Sequence, residues 1–356
     1  MNGEILKQLR MQMPAQVDAV LVEDPLHQYY LSGFHYTDGH LVIGREKAWL
    51  FTDFRYIEAA KKRVRAGIQV DMVRRSYAAM VNAVCQRDGV KTIAFEEGFM
   101  TCADHAQWEP ALMAKMQPMG SLISDLREIK TEEEVACCVK AQRIAERALA
   151  ETLNDIHAGV TEKHIASLLE FRMLDYGGEK MSFDPIVVSG KKSSMPHGVP
   201  SEKIIEDGDF VTMDFGCTYE GYCSDMTRTV AVGHVTEEMD KVYHIVLRAQ
   251  EAGIAAARPG VTGAFVDKAG RDIIEAEGYG ACFGHSFGHG IGIDIHELPL
   301  AAPRYEKILC AGNIISAEPG IYIPERFGVR IEDMLCITPD GCRDLTNAPK
   351  QLTICK

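Results

Sequence analysis

Four acidic residues sit inside runs of apolar and β-branched residues, and few folds can hold them there. Asp214 lies in TMDFG, Asp225 in CSDMT, Glu318 in ISAEPG and Glu332 in VRIED. The text around them reads as strands joined by turns, over 209–233 and again over 313–338, and so predicts two hairpins. Each hairpin carries one acid on its first strand and one on its second, a faint internal duplication. A buried carboxylate without a partner is costly, and one such acid alone is ordinarily at a sheet edge or in a salt bridge. Four of them, with His289 framed by glycine in GHSFGHGIGIDIHE, would repel one another and need a compensating cation. Four carboxylates balance two divalent ions, and a neutral imidazole adds a ligand without changing the charge. The count predicts a two-metal centre sharing a hydroxide drawn from water. Its mixed oxygen and nitrogen donors point to Mn2+, Co2+, Fe2+ or Zn2+, with Mn2+ first among them, rather than to a thiolate site.

The rest of the composition excludes other classes. At 356 residues the chain exceeds what one core usually supports, so two domains are expected. The net charge of −13, with no stripe of Lys and Arg, argues against nucleic acid and anionic membranes as partners. No apolar stretch is long enough to span a bilayer, and the first residues lack a signal-peptide pattern, so the expected location is the cytoplasm. Eleven cysteines, an odd number without CxxC pairs, read as free thiols in a reducing compartment.

Along the chain, residues 1–125 alternate short apolar strands (19–24, 40–53, 91–97) with helical patterns in FRYIEAAKKRV and YAAMVNAVCQRD, which indicates an α/β domain. At Thr131 the T-E-E-E capping box opens a long helix that is expected to run to a stop near Gly159. The second domain is therefore placed at 126–356. Three further helices are expected at about 162–176, 237–257 and 263–276, each ending near glycine.

The motifs MDFG, CSDMTRT, GHGIGIDIHE, AEPGIY and VRIEDM, in this order, resemble the pita-bread metallopeptidases, which include methionine aminopeptidase, prolidase and aminopeptidase P. YLSGF, LFTDFRYIEAA and DLREIKTEEEV are similar to the amino-terminal domain of the prolidase and aminopeptidase P branch. The resemblance implies a creatinase-like α/β domain followed by an α+β pita-bread domain with a curved antiparallel sheet. It implies that Asp214 chelates one metal, His289 and Glu318 the other, and that Asp225 and Glu332 bridge both. His197 and His296 match histidines that approach the scissile carbonyl, and His285 matches one that lines the proline pocket. A homodimer is implied as well.

Through that resemblance the chain is expected to hydrolyse the bond between an amino-terminal residue and a following proline, with Glu318 moving the proton. The alternative is an Xaa-Pro dipeptidase. Related dipeptidases often place an arginine where this chain has Leu300, in HELPLAAPR, and an apolar side chain cannot hold a carboxylate in a bidentate pair. A non-catalytic binding role on the same fold would go with lost ligands, and all five are present. Hydrolysis of another amide by the same metals is a further class that the motifs do not separate.

Overall fold

The computed structural model describes residues 4–356. The chain divides into two compact units, one ending at Leu126 and the other running Arg127–Lys356.

The first unit is built on one six-stranded sheet, in the order Ile68–Met72, Ala48–Thr52, Gly39–Gly44, Ala19–Val22, Thr92–Phe95, Lys115–Pro118. The two central pairings, on either side of Gly39–Gly44, are antiparallel and the outer ones are parallel. Residues 40–53 thus form two strands, with a turn at Arg45–Lys47, rather than one extended run. Trp49, Phe51, Val81 and Ile93 share the core beside helix Tyr77–Asp88. That helix starts on the Ser76 hydroxyl and ends on Gly89 in the left-handed conformation (φ 69°).

The second unit repeats one pattern: a pair of helices, then antiparallel strands. Helix Glu132–Thr152 opens on a complete capping box: the Thr131 hydroxyl accepts from Glu134 N, and the Glu134 carboxylate accepts from Thr131 N. It stops at Thr152, short of Gly159. There the Thr152 hydroxyl turns back on the Ala148 carbonyl, and Asn154 donates to the carbonyl of Glu151. This helix and Glu162–Asp175 cover a four-stranded sheet ordered Ile354–Cys355, Met226–Val232, Phe210–Phe215, Ile186–Ser189, and Ile144, Leu169, Met213 and Met226 fill the space between. The second pair, Glu237–Ala256 and Gly263–Ala276, is followed by a five-stranded sheet ordered Glu297–Ala301, Gly288–Gly290, Ile314–Ala317, Asp333–Thr338, Gly341–Asp344, and by the hairpin Gly320–Ile323 with Phe327–Arg330. No described helix is long and apolar enough to cross a membrane, and all eleven cysteines are free.

Candidate metal centre

The four acids lie where the two sets of strands meet. Asp214 stands in strand Phe210–Phe215, opposite Thr227. The other three lie at interruptions rather than within strands: Asp225 just before Met226, Glu318 just after Ala317, and Glu332 between Arg330 and Asp333. This corrects the expectation of one acid on each strand. A break in the ladder frees a residue from strict alternation, and here it lets acids from both hairpins turn toward one point. Backbone bonds fix these breaks, with Glu332 N donating to Thr227 O (3.1 Å) and Glu318 N to Phe287 O (2.8 Å).

His289 enters from the short strand Gly288–Gly290. A Cβ on Gly288 would overlap the Ser316 carbonyl, and one on Gly290 the backbone of Glu297 and Leu298, so glycine on both sides is what admits the imidazole. Its Nδ1–H donates to the Gly290 carbonyl (3.1 Å), which leaves the Nε2 lone pair facing the acids. Nε2 lies 3.3 Å from Glu318 Oε1 and 3.6 Å from Asp225 Oδ2. Asp225, His289 and Glu332 each present a ligand atom within 4.8 Å of the others.

Electrostatics describe an incomplete cluster. Burial, and then the charges of neighbouring acids, push the Asp225 and Glu332 carboxyls well above the usual carboxylate range. Glu318 is raised for the same first reason, and burial lowers His289, which keeps it neutral. The one cation supplied by the protein here is Arg330, which pairs with Asp214 Oδ2 and donates to the Thr227 hydroxyl (3.0 Å) and the Tyr322 hydroxyl (2.9 Å). With all four carboxyls ionised, the single guanidinium would leave the cluster at −3, which is why the buried acids resist ionisation in the absence of further positive charge. Among the described residues, Asp214 Oδ1 and Glu332 Oε1 are buried without a hydrogen-bond partner. Bare carboxylate oxygens beside a free imidazole nitrogen fit hard or borderline divalent ions.

A second close group, Asp24, His27 and Glu96, makes a useful contrast. Glu96 Oε2 accepts from Asp24 N (2.8 Å), its Oε1 pairs with His27, and Asp24 accepts from Leu26 N (2.8 Å) as a helix cap. Protein groups occupy that set, with Asp24 capping a helix and Glu96 engaged by two backbone N–H groups and His27.

The three other histidines share a cleft of about 550 Å³ with the acids. His296 stacks edge-on against His289, with ring centroids 4.4 Å apart, and is exposed on its far side. His197 lies exposed on the loop after Pro196. His285 is tied down: its Nδ1–H donates to Ser286 O (2.8 Å), and its Nε2 accepts from the Tyr322 hydroxyl (2.9 Å). An Arg330–Tyr322–His285 chain results, which sequence reasoning missed although VRIED and PGIY were in view. The one signal available was proximity in sequence, Arg330 standing two residues before Glu332 in VRIED. Burial raises the Tyr322 phenol to about 12, so it remains a donor. Tyr322→Phe is expected to lower stability by about 1–2 kcal/mol, since it strips a donor and an acceptor from a buried chain. A shifted urea midpoint with an unchanged slope would record this.

Ser316, Thr227 and Arg228 were missed as well. The Ser316 hydroxyl donates to Glu318 Oε1 (3.1 Å) and accepts from His289 N (3.0 Å), while the Thr227 hydroxyl donates to Glu332 Oε2 (2.6 Å). Arg228, buried, donates to the carbonyls of Thr227, Glu332, Ala348 and Pro349 and to Asp333 Oδ1, so one guanidinium sets the backbone that carries Glu332.

The model of metallopeptidase family M24 matches residues 136–339, and that of the creatinase/prolidase N-terminal domain matches residues 6–129. The chain is 36% identical to the Xaa-Pro dipeptidase of Pyrococcus horikoshii, with 99% of each chain covered. The Xaa-Pro dipeptidase from Bacillus anthracis has the same fold, with a TM-score of 0.96 at 40% identity over 99% of both chains. The X-Pro aminopeptidase from Thermotoga maritima gives 0.92 at 36% identity, covering 98% of this chain and 99% of that one.

Proposed function

The chain belongs to metallopeptidase family M24, and from that premise we propose that it is an Xaa-Pro aminopeptidase whose ligands are Asp214, Asp225, His289, Glu318 and Glu332. The observation that carries this reading is the pair of buried oxygens on Asp214 and Glu332 that have no partner among the described residues, set among four acids opposed by a single guanidinium. Two divalent ions, Mn2+ first among the candidates, would supply there a Lewis acid and a water that gives up its proton near neutral pH.

The protein's own groups do the remainder. The Glu318 carboxyl, raised by burial and held at Oε1 by Ser316, is suited to take a proton from the attacking water and to return it to the departing proline nitrogen. His296 and His197, on the cleft wall, donate to the carbonyl oxygen as charge grows on it. Proline offers no N–H and has a fixed ring, so the bond before it suits an apolar slot better than a backbone-gripping groove. Phe183, Ile186 and Ile295 line such a slot beside the acids. His296→Ala is expected to keep its metal and lose roughly 10²-fold in turnover, as when one oxyanion donor is removed. Lost metal would instead make His296 a ligand.

The alternative, an Xaa-Pro dipeptidase, is favoured by the names of two relatives. Against it stands the cleft. Leu300 lines the wall where a carboxylate-binding arginine would be useful, Arg304 does not line it, and four of the five N–H groups of the Arg330 guanidinium are already bonded within the protein. The deciding assay compares Gly-Pro, Ala-Pro and Ala-Pro-Ala, with a methionyl peptide lacking proline, in added Mn2+, Co2+ and Zn2+. Cleavage of the tripeptide but not the dipeptides supports the aminopeptidase. Dipeptide cleavage alone reverses the assignment, and cleavage of none removes both.

A further inference from the structure

The cleft has five acids on its wall, and four of them belong to the metal centre. The fifth is Asp184. It lies two residues before Ile186, the residue that faces Asp214 across the strand pair, so the chain holds its backbone within roughly 7 Å of that residue. The whole segment Phe183–Ile186 lines the cavity, and Asp184 is its one charged side chain. Asp184 is exposed, and among the described residues no group forms an ion pair or side-chain hydrogen bond with it.

The cations of the cleft are distributed in the opposite sense. Arg330 is the one Lys or Arg on the wall, and its donors go to Asp214, Thr227, Tyr322 and the Pro196 carbonyl. A carboxylate entering the cleft meets no free Lys or Arg there and is repelled by Asp184, whereas an ammonium or guanidinium meets an unengaged partner. Phe183, Pro185, Ile186 and Leu300 on the same wall are apolar and offer an incoming charge no competing partner.

We propose that Asp184 is a specificity-determining residue that selects peptides carrying a positive charge beside the scissile bond. The proposal rests on the peptidase reading above. The cation has two sources in a peptide, the terminal ammonium and a Lys or Arg side chain, and the test separates them. The manganese-loaded full chain and its Asp184→Asn and Asp184→Lys variants are assayed on Ala-Pro-Ala, Lys-Pro-Ala, Gln-Pro-Ala, Ala-Pro-Lys, Ala-Pro-Gln and Ala-Pro-Glu, all as carboxyl-terminal amides. Binding of the same peptides is measured in parallel by calorimetry.

If Asp184 pairs with a side chain, wild type prefers the lysyl peptide over its glutaminyl counterpart by about three- to fivefold, the upper range for a solvent-exposed ion pair. Asp184→Asn then abolishes that ratio, Asp184→Lys inverts it in favour of Ala-Pro-Glu, and raised salt shrinks it. If Asp184 pairs with the terminal ammonium, Asp184→Asn lowers kcat/KM by a similar factor for every peptide and leaves the ratios alone. Rates, ratios and affinities that are unchanged in both variants overturn the proposal. Charge-dependent binding without cleavage of any peptide retains it and rejects the hydrolytic reading, while no binding of any peptide rejects both.

Discussion

Asp225→Asn is expected to lower hydrolysis of Ala-Pro-Ala by roughly 10³-fold or more, to reduce bound metal below the wild-type content, and to make the metal-free protein more stable than metal-free wild type. The three effects have one cause. Asp225 is buried near Asp214 and Glu318, and its carboxyl is raised first by burial and then by their charges, which outweigh the opposing influence of Arg330 and so disfavour its ionisation in the absence of metal. Asparagine keeps the size of the side chain and removes the charge. It therefore relieves repulsion worth about 1–2 kcal/mol, taking a high effective dielectric for the site. The same change removes an anionic ligand from a place where Glu332 and His289 already converge within 4.8 Å. Metal analysis, peptide assay and urea unfolding after chelation read the three separately. Lost activity with full metal would make Asp225 a catalytic group but no ligand, and a destabilised metal-free variant would show that Asp225 holds the fold by hydrogen bonding rather than straining it by charge.

Much of this acidic cluster was legible because acids set among apolar residues are costly to bury, even though three of the four proved to lie at breaks between strands rather than within them. The capping box at Thr131, the glycines around His289 and the helix Tyr77–Asp88 also declare themselves locally, through side chains that bond or pack within one turn. What escaped notice depends on contacts distant in sequence. Arg330 reads as a surface charge on a strand until Asp214, 116 residues away, is seen against it. With Arg330 included, four carboxylates and two divalent ions no longer sum to zero, so the charge balance drawn from the acids alone leaves room for one further anion. Short elements at sheet margins were missed for a different reason. Ile68–Met72 buries little of its surface, and Cys102–Ala111 has no fully buried residue, so neither shows a clear apolar period. Helix Pro25–Ser32 is only eight residues long, although Asp24, Pro25 and Gly33 mark its ends.

Glu297→Gln is expected to cost about 3–5 kcal/mol of stability and to lower activity without touching a ligand. Glu297 follows His296, and its carboxylate joins two cations from the start of the second unit: Oε2 accepts from Arg127 and Oε1 from Lys130, both at 2.5 Å. Arg127 and Glu297 are each 8% exposed at the side chain and Lys130 is 2% exposed. Burial alone would raise the Glu297 carboxyl, and the two cations more than offset that, holding it below its ordinary value near 4.5. Glutamine preserves the outline but leaves two buried positive charges facing a neutral amide, a far larger penalty than loss of a surface pair. The pH dependence provides a second reading. A depressed carboxyl contributes stability that is present above the unfolded value and lost as pH falls through the folded one. The gap between wild type and variant should therefore be full at neutral pH and close as pH drops below about 4.5, because wild type then protonates the same group. Since Glu297 also approaches Asp294 N (3.4 Å), its loss should loosen the segment that carries His296 and reduce turnover at unchanged metal content. A gap that persists undiminished in acid would assign the effect to packing and rule out charge as its source.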